Sequence, residues 1–338
     1  MLISRPAARP ASCCSCRDTP SFARSPTHRT GCLFMGKIIG AGLISHAPVV
    51  MMPRAVRLRE NDGRDFTLAT GLARLRREVF DAHDYDTVLV LDSHWRTTTE
   101  AVVTAHARRT GRFTSDEMPN AIRQLPYDLA GDPELARAIA ELATRRACWI
   151  AAVDDPCLPI HYATLNPWTY LGRPDKRWIS MSVCQTATTD DFLRMGEIVA
   201  QAISRLDRNV LLVASGGLSH AFWPLAELRR RMAGAASNIV TPAARAADER
   251  RIAWLEQGRH DRVIDAMSEF LRFDPEANFG HYLMMAGAIG ARACAARARR
   301  FSEYENGIGT GHVHLWFGPV DGGWTRAETR AEREAARA

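Results

Sequence analysis

The sequence predicts a single α/β domain with a mostly parallel sheet and helices on both faces. Strand-like apolar runs alternate with stretches whose apolar residues recur at helical spacing, a pattern typical of β-α-β units. No internal repeat or low-complexity linker interrupts residues 36–320. Of the 338 residues, 46% are hydrophobic and 24% are charged, which is enough apolar surface for one large core.

The individual elements follow from these periodicities. Apolar runs predict strands at 38–44, 87–92, 178–183, 209–215 and 312–317. Helical spacing predicts helices at 66–82, 133–146, 190–206, 243–271 and 281–298. Asp132 and Asp190 are the expected N-caps of the second and third of these helices. Residues 104–130 show neither period, so we expect a long irregular loop that covers a site or an interface.

Both ends of the chain differ in composition from the predicted domain. Residues 1–34 hold five arginines and one aspartate, and so supply +4 of the formal charge of +6. Their composition is that of a transit peptide without the apolar stretch of a secretory signal, and a mis-assigned start codon explains them as well, because Met35 opens the strand pattern. We expect 1–34 to be disordered or absent, 35–320 to be the folded domain, and 321–338 to be a charged tail, either a solvated helix or frayed.

Charge and hydropathy exclude several classes of function. Outside the first 34 residues the chain is close to neutral, which argues against a nucleic-acid partner. No apolar run approaches the roughly 18 residues that a membrane-spanning helix needs. The cysteines of the domain lack C-x-x-C spacing, as is typical of free thiols in a reducing compartment; they are Cys148, Cys157, Cys184 and Cys294. We therefore predict a cytoplasmic protein that binds neither nucleic acid nor membranes.

Three histidines lie at or just beyond the ends of predicted strands. His46 follows the first strand, His94 the strand at 87–92, and His220 the strand at 209–215. One such histidine is most simply a buried imidazole that finds its hydrogen bonds in the core. Three at equivalent positions are better explained by a shared site, because the carboxyl ends of parallel strands meet at one edge of the sheet.

A carboxylate beside two imidazoles would complete a metal site with open positions. Glu276, in the segment DPEANFGH, is a candidate, although a charge near a helix N-terminus is more simply explained by the helix dipole. A triad of this kind suits non-haem Fe(II) and its oxygen chemistry. A catalytic zinc fits as well, but the chain has no H-E-x-x-H helix. Asp92 and Ser93 could orient the imidazole of His94, or Asp92 could cap a turn.

Seven stretches, in order, resemble the class III extradiol ring-cleavage dioxygenases, the superfamily of protocatechuate 4,5-dioxygenase. They are LISHAPVVMMP, DTVLVLDSHWR, TSDEMPNAIRQLPYDLAGDPELA, HYATLNPWTYL, VASGGLSHAF, EANFGHYLMMAGAIG and GIGTGHVHLWF. They cover nearly all of 36–318 and leave the leader outside. Within the superfamily, the sequence is most similar to the 3,4-dihydroxyphenylacetate (homoprotocatechuate) 2,3-dioxygenases. The resemblance implies a catalytic domain at 35–320, and we interpret GIGTGH as a turn before a final strand and not as a dinucleotide site.

The resemblance assigns roles to five residues. It implies that His46, His94 and Glu276 are ligands of Fe(II) and that His220 is the acid/base. His161 matches a second active-site histidine of protocatechuate-type relatives, where the homoprotocatechuate-like members carry a glutamate. The role of His161 and the exact substrate therefore stay open. Two further polar residues of the matching stretches receive no role, and these are Asn278 and His312.

The implied reaction is the cleavage of a substituted catechol by O2 beside its two hydroxyls, giving a 2-hydroxymuconic semialdehyde-type product in aromatic catabolism. Three protein ligands leave three positions on the iron, enough for both catechol oxygens and O2. No organic cofactor is expected. Arg123, in the long loop, is a candidate partner for a carboxylate on the substrate. The resemblance also suggests a homo-oligomer.

Other functions remain compatible with the sequence. The substrate could be 3,4-dihydroxyphenylacetate, 2,3-dihydroxyphenylpropionate, protocatechuate or an aminophenol. Relatives of the same fold also serve as binding or signalling proteins, although the retained His220 and Glu276 argue against that. A zinc hydrolase is a third alternative, and its activity would persist without oxygen.

Overall fold

A ten-stranded mixed sheet, most of whose central pairs are parallel, is the centre of the described structure. The computed structural model describes residues 35–321 and 323–325. The strands are β1 (Lys37–Ile44), β2 (Thr87–Thr97), β3 (Ala101–Thr104), β4 (Arg108–Phe113), β5 (Leu125–Ala130), β6 (Ile150–Val153), β7 (Arg177–Cys184), β8 (Asn209–Ser215), β9 (Arg299–Arg300), β10 (Glu305–Gly307), β11 (Thr310–His312) and β12 (His314–Phe317). The order across the sheet is β4-β5-β7-β2-β8-β1-β12-β9, β3 pairs with β7 and also with β6, and β10 and β11 form a separate hairpin.

Within the described residues, ten α-helices connect the strands. They are α1 (Arg54–Glu60), α2 (Thr67–Leu75), α3 (Pro133–Arg145), α4 (Tyr162–Leu171), α5 (Thr189–Ile203), α6 (Leu225–Leu228), α7 (Pro242–Glu256), α8 (His260–Asp265), α9 (Met267–Phe270) and α10 (Gly280–Ala288). Short 3-10 turns fill several connections, among them Glu276–Phe279 just before α10. No helix of the described residues is long and apolar enough to cross a membrane.

The sheet is buried on both faces, as the sequence predicts for a parallel arrangement. Along β2, Leu89 and Leu91 pack into one apolar core, which also holds the inward sides of α3, α5 and α10. The alternate residues Val88 and Val90 pack into the second core, with α2 and α4. A continuous apolar run with period-two alternation between two cores is the reason that this strand lies at the centre of the sheet. The predicted α/β fold is confirmed.

Several local predictions were wrong. The region 104–130 is not one irregular loop: β4 and β5 form an antiparallel hairpin, and only 105–107 and 114–124 lack a strand or helix. The hairpin went unrecognised because it is largely exposed and carries few apolar residues in alternation. The strand predicted to end at residue 92 runs to Thr97 through a bulge. Thr188, not Asp190, caps α5, through a capping box with Asp191.

Two predicted helices are shorter than expected. The stretch 243–271 forms α7, α8 and α9, because Gly258 takes a positive φ of 70° and ends α7. The stretch 281–298 is helical only to Ala288, and Gly290, with φ of 110°, follows the helix. Asp132 does cap α3, accepting from the backbone N–H of Leu135. The predictions for 1–34 and for the tail from 326 onward lie outside the described residues.

Candidate active site

Three parallel strands bring the candidate residues to one edge of the sheet. Ile44 of β1 and Asp92 of β2 both pair with Ser215, the last residue of β8. β1 and β8 therefore end in the row where the bulge of β2 begins, and the segments beyond this row start side by side. The structure brings His46, His94 and His220 together in this way. The same edge opens into a cavity of about 920 Å³.

The wall of this cavity is built from loops that follow the strands and from the turn before α10. The lining residues are His46, Ala47, Pro48, His94, Arg96, Glu117, Met118, Tyr162, Gln185, His220, Phe222, Asp274, Pro275, Glu276, Ala277, Asn278, Gly307, Ile308, Thr310 and His312. More than half of these residues have ionisable or otherwise hydrogen-bonding side chains, so the cavity can orient a polar ligand as well as enclose an apolar ring.

Glu276 is a buried carboxylate with several hydrogen-bond partners. Its Oε1 accepts from the Ser93 hydroxyl at 2.5 Å, and its Oε2 accepts from the Gly217 backbone N–H at 2.5 Å. Its Oε1 also lies 3.2 Å from His46 Nε2. Burial alone would raise the pKa of this carboxyl, but the attraction of the neighbouring His46 and His220 imidazoles outweighs burial and lowers it well below its usual range. Glu276 is therefore an ionised ligand candidate whose orientation is fixed.

The backbone that carries Glu276 is held in an unusual conformation. Ala277, Asn278 and Phe279 follow one another with φ of 47°, 56° and 60°, although none of them is glycine. Each such residue costs on the order of 1 kcal/mol or more, and strain of this kind clusters at functional sites. The Glu276 N–H donates to Leu218 O at 2.9 Å, which ties the strained turn to the loop after β8. The turn directs both Glu276 and Asn278 into the cavity.

His46 is oriented by a serine on the neighbouring strand. Ser215 Oγ donates to Ala163 O at 2.6 Å, so the same oxygen must accept from His46 Nδ1 at 3.1 Å. This assignment places the proton on Nδ1 and leaves the Nε2 lone pair directed at Glu276. Burial disfavours a charged His46, but the Glu276 carboxylate outweighs that effect and raises the pKa of His46. A positive charge is thus favoured between the two side chains.

The His46–Glu276 pair passes a test for a metal centre, and His94 passes only in part. His46 Nε2 and Glu276 Oε1 face each other at 3.2 Å, a separation that either a shared proton or a bound metal cation can fill. The ring of His94 lies 6.1 Å from that of His46, but its Nε2 makes a 3.0 Å contact with Glu117 Oε1. Among the residues that the structure describes, no three His, Cys, Asp or Glu side chains already have the arrangement of a metal site. His94 would provide the third metal ligand if its Nε2 were turned away from Glu117.

The residues next to His94 act on the backbone more than on the imidazole. Asp92 Oδ1 accepts from the backbone N–H groups of His94 and Trp95 at 3.0 and 2.9 Å. Thr164 donates to Asp92 Oδ2 at 2.7 Å. Asp92 therefore caps the bulge of β2, one of the two roles expected of it, and Ser93 contacts Glu276 and not His94.

Glu117 is a residue of the cavity that sequence reasoning missed. It lies in the irregular segment between β4 and β5, and its side chain is half-exposed. The hydrogen bond from His94 lowers the pKa of the Glu117 carboxyl against the opposing effect of partial burial. The sequence indicated this residue only as an acidic side chain in the segment 104–130, which we expected to cover a site or an interface. Nothing in its spacing distinguished it from the neighbouring Asp116.

His220 faces Glu276 from the loop after β8. Its Nε2 lies 3.8 Å from Glu276 Oε2, and its ring meets the edge of Phe222 at 4.7 Å. Burial lowers the pKa of His220 below its usual 6.5 even with the carboxylate nearby. At neutral pH the imidazole is therefore uncharged and able to accept a proton.

Asp248, on α7, holds the loop that carries His220. Its carboxylate accepts from the Ser219 backbone N–H at 3.0 Å, from the Ser219 hydroxyl at 2.6 Å and from the Tyr304 hydroxyl at 2.6 Å. Burial raises the pKa of Asp248 to about 6. Sequence reasoning missed this residue because its partners come from segments about 30 and 55 residues away in the chain.

His161 and His312 have different surroundings. His161 stacks on Trp95 with ring centroids 5.7 Å apart and lies 6.3 Å from the ring of His94, outside the residues that line the cavity. Burial lowers the pKa of His161. His312 lines the cavity with both ring nitrogens in hydrogen bonds, to Ser45 Oγ at 2.7 Å and Thr310 Oγ1 at 2.6 Å. Burial lowers the pKa of His312 to about 3.

The two arginines near the site differ in placement. Arg123, the candidate partner for a substrate carboxylate, is exposed and is not among the residues that line the cavity. Arg96 does line the cavity, although the sequence did not single it out.

Comparison with known proteins shows the family of this chain. Residues 40–316 match the family model described as the catalytic LigB subunit of aromatic ring-opening dioxygenase. The chain therefore belongs to this family of aromatic ring-cleaving dioxygenases, and the predicted membership of the class III extradiol superfamily is confirmed.

One curated relative is similar over most of its length. It is the 3,4-dihydroxyphenylacetate 2,3-dioxygenase of Escherichia coli, which is 27% identical over 263 residues, covering 76% of this chain and 91% of the relative. A solved structure, that of an uncharacterized protein from Escherichia coli, matches 83% of this chain and all of its own with a TM-score of 0.51. At 14% identity, that likeness shows the fold alone.

Proposed function

We propose that this protein is an Fe(II)-dependent extradiol dioxygenase that cleaves a substituted catechol with O2, and that 3,4-dihydroxyphenylacetate is its first candidate substrate. The observation that carries the proposal is the buried His46–Glu276 pair, which faces the cavity beside His94 and His220. The named activity of the Escherichia coli relative supports the choice of substrate.

His46, His94 and Glu276 would hold the iron. When bound, Fe(II) lowers the pKa of a coordinated hydroxyl and provides open positions for a diol and O2. The chain supports this role through hydrogen bonds to the ligands. Ser215 fixes the tautomer of His46, and Ser93 and Gly217 fix the carboxylate of Glu276.

His220 would move the protons of the reaction. Its uncharged imidazole can take a proton from a catechol hydroxyl in the cavity. It can later donate that proton to oxygen when the O–O bond breaks. Asp248 would keep it in place through Ser219. His161, next to His94 and outside the cavity wall, remains a candidate for substrate orientation or for sharing this proton transfer.

The assignment of a catechol fits the shape of the cavity. Phe222 and Met118 offer apolar surface for an aromatic ring, and Gln185 and Asn278 offer amide groups at the same wall. Arg123 stays a prediction as the partner of a substrate carboxylate. We further propose that the enzyme acts in the cytoplasm as a homo-oligomer and forms a 2-hydroxymuconic semialdehyde-type product.

A direct assay tests the proposal. The purified full-length protein is loaded with Fe(II) without air, mixed with 3,4-dihydroxyphenylacetate and then exposed to O2. We expect one O2 to be consumed per molecule of yellow ring-cleaved product. His46→Ala should lose iron retention and ring cleavage together. Bound iron without oxygen uptake on a panel of catechols and aminophenols would contradict the proposal and favour a non-catalytic relative. Activity that persists without oxygen would favour a hydrolase.

A further inference from the structure

Arg96 shares the cavity wall with the candidate iron ligand His94. The two residues are separated by Trp95, which is buried and stacks on His161. Alternate residues of a strand point to the same side, so Arg96 faces the cavity as His94 does, roughly 7 Å further along the chain. The bulge of β2 after Asp92 moves this part of the strand out of register with β7. The result is a long cationic side chain beside the place where the diol would bind.

Charge sets Arg96 apart from the other residues of the wall. It is the only arginine or lysine among the described residues that line the cavity. Within 35–321 and 323–325, no carboxylate forms an ion pair with it, and its one hydrogen bond is a 3.4 Å contact from Nε to Ser93 O. The wall carboxylates Glu276 and Glu117 are already engaged by histidines. The terminal nitrogens of the guanidinium are therefore available to a ligand.

We propose that Arg96 is the specificity-determining residue for the substrate side chain and that it selects catechols with an anionic substituent. The inference rests on the proposed function, since it assumes that the diol binds beside His94. A guanidinium recognises a carboxylate through two parallel hydrogen bonds, which a neutral or cationic substituent cannot make. Asp274 is an exposed carboxylate of the same wall, and it would favour a catechol with a cationic amine instead.

A substrate comparison tests the role of Arg96. KM and kcat are measured for 3,4-dihydroxyphenylacetate, for the neutral 4-methylcatechol and for the cationic dopamine, in the wild-type Fe(II)-loaded full-length enzyme and in three variants. Oxygen-free titration gives the dissociation constants for the same catechols. The variants are Arg96→Gln, Arg96→Lys and Arg205→Gln, the last of which removes an equal charge from an exposed residue outside the cavity wall.

For Arg96→Gln we expect KM and Kd for 3,4-dihydroxyphenylacetate to rise about tenfold or more, the usual loss for a hydrogen bond between charged groups. Values for 4-methylcatechol should stay within about twofold. Arg96→Lys should recover part of the loss, and Arg205→Gln should change nothing. Equal losses on all three catechols, or no loss on any, would overturn the inference, as would a selective loss in Arg205→Gln.

The wild-type enzyme separates this inference from the proposed function. Cleavage of all three catechols with no preference for the anion would leave the dioxygenase intact and contradict the role of Arg96. A preference for dopamine would contradict the role of Arg96 and indicate that Asp274 selects the substituent of the catechol. Failure to bind or cleave any of them would contradict the proposed function and the inference together.

Discussion

Two halves of the cavity wall are held in different ways. The inner half consists of His46, Glu276 and their supports Ser93, Ser215 and Gly217, which are all buried and joined by hydrogen bonds. The outer half consists of four partly or largely exposed residues whose side chains each make only one or two polar contacts among the described residues, and these are His94, Arg96, Glu117 and His220. A site built in this way can hold an ion rigidly on one side and admit a large ligand on the other. The inner half, together with His94, should therefore control metal affinity, and the rest of the outer half should control the choice of substrate.

The strongest test of this difference is Glu276→Gln. The amide removes the charge that His46 faces, and its NH2 group meets the Ser93 hydroxyl or the Gly217 N–H in place of an acceptor. We expect Fe(II) affinity to fall by more than about 100-fold, beyond the usual effect of losing a supporting residue. Anaerobic titration with Fe(II) measures the change, and circular dichroism confirms the fold. Wild-type affinity would show that Glu276 is not a ligand.

Ser93→Ala removes a support without removing a ligand. The carboxylate of Glu276 loses its 2.5 Å hydrogen bond and keeps the one from Gly217. We expect a loss of roughly tenfold in Fe(II) affinity, the lower end of what supporting residues contribute. Ser302→Ala, another buried serine outside the cavity wall, is the control and should leave the affinity unchanged. Equal effects of the two variants would mean that general destabilisation, not orientation of Glu276, is responsible.

Acid should weaken the folded state through its buried imidazoles. Burial lowers the pKa of both His260 and His314 to about 4, so between pH 6.5 and 4 the unfolded chain binds protons that the folded chain does not. The free energy of unfolding is therefore highest above about pH 6.5 and falls as the pH drops, by about 1.4 kcal/mol per unit for each group. Urea unfolding at several pH values measures this slope.

His260→Gln tests which part of the molecule senses the acid. His260 contacts Tyr282 and Ala296 and does not line the cavity, whereas His314 accepts from the backbone of Ser45 beside His46. Removing the His260 imidazole should reduce the pH dependence of the free energy of unfolding by about 1.4 kcal/mol per pH unit. It should leave the Fe(II) affinity unchanged. An unaltered slope would place the acid sensitivity elsewhere.

Glu117→Gln should have the smallest effect. The side chain is half-exposed, so solvent screens its charge, and the amide can still contact His94. We expect Fe(II) affinity to change by less than about threefold and the free energy of unfolding by less than about 0.5 kcal/mol. A change of tenfold or more in affinity would show that the outer half is as tightly organised as the inner half.

Sequence periodicity was sufficient for the strands that form the centre of the sheet. β1, β7 and β8 lie within a residue or two of their predicted bounds, because an apolar run buried on both faces is a local property of the chain. The β4–β5 hairpin was missed, since its exposed residues give no such signal. The helix at 162–171 was missed as well, because Pro167 lies within it and its apolar residues show no helical face.

The sequence by itself determined the α/β fold and the row of histidines at the strand ends, because apolar periodicity and parallel-strand geometry require both. Only the tertiary structure decided which groups surround them. Ser93 and Gly217 reach Glu276 across 183 and 59 residues of chain, and Asp248 reaches Ser219 across 29. Contacts between distant segments leave no period in the sequence. For the same reason, folding alone placed Arg96 and not Arg123 in the cavity wall.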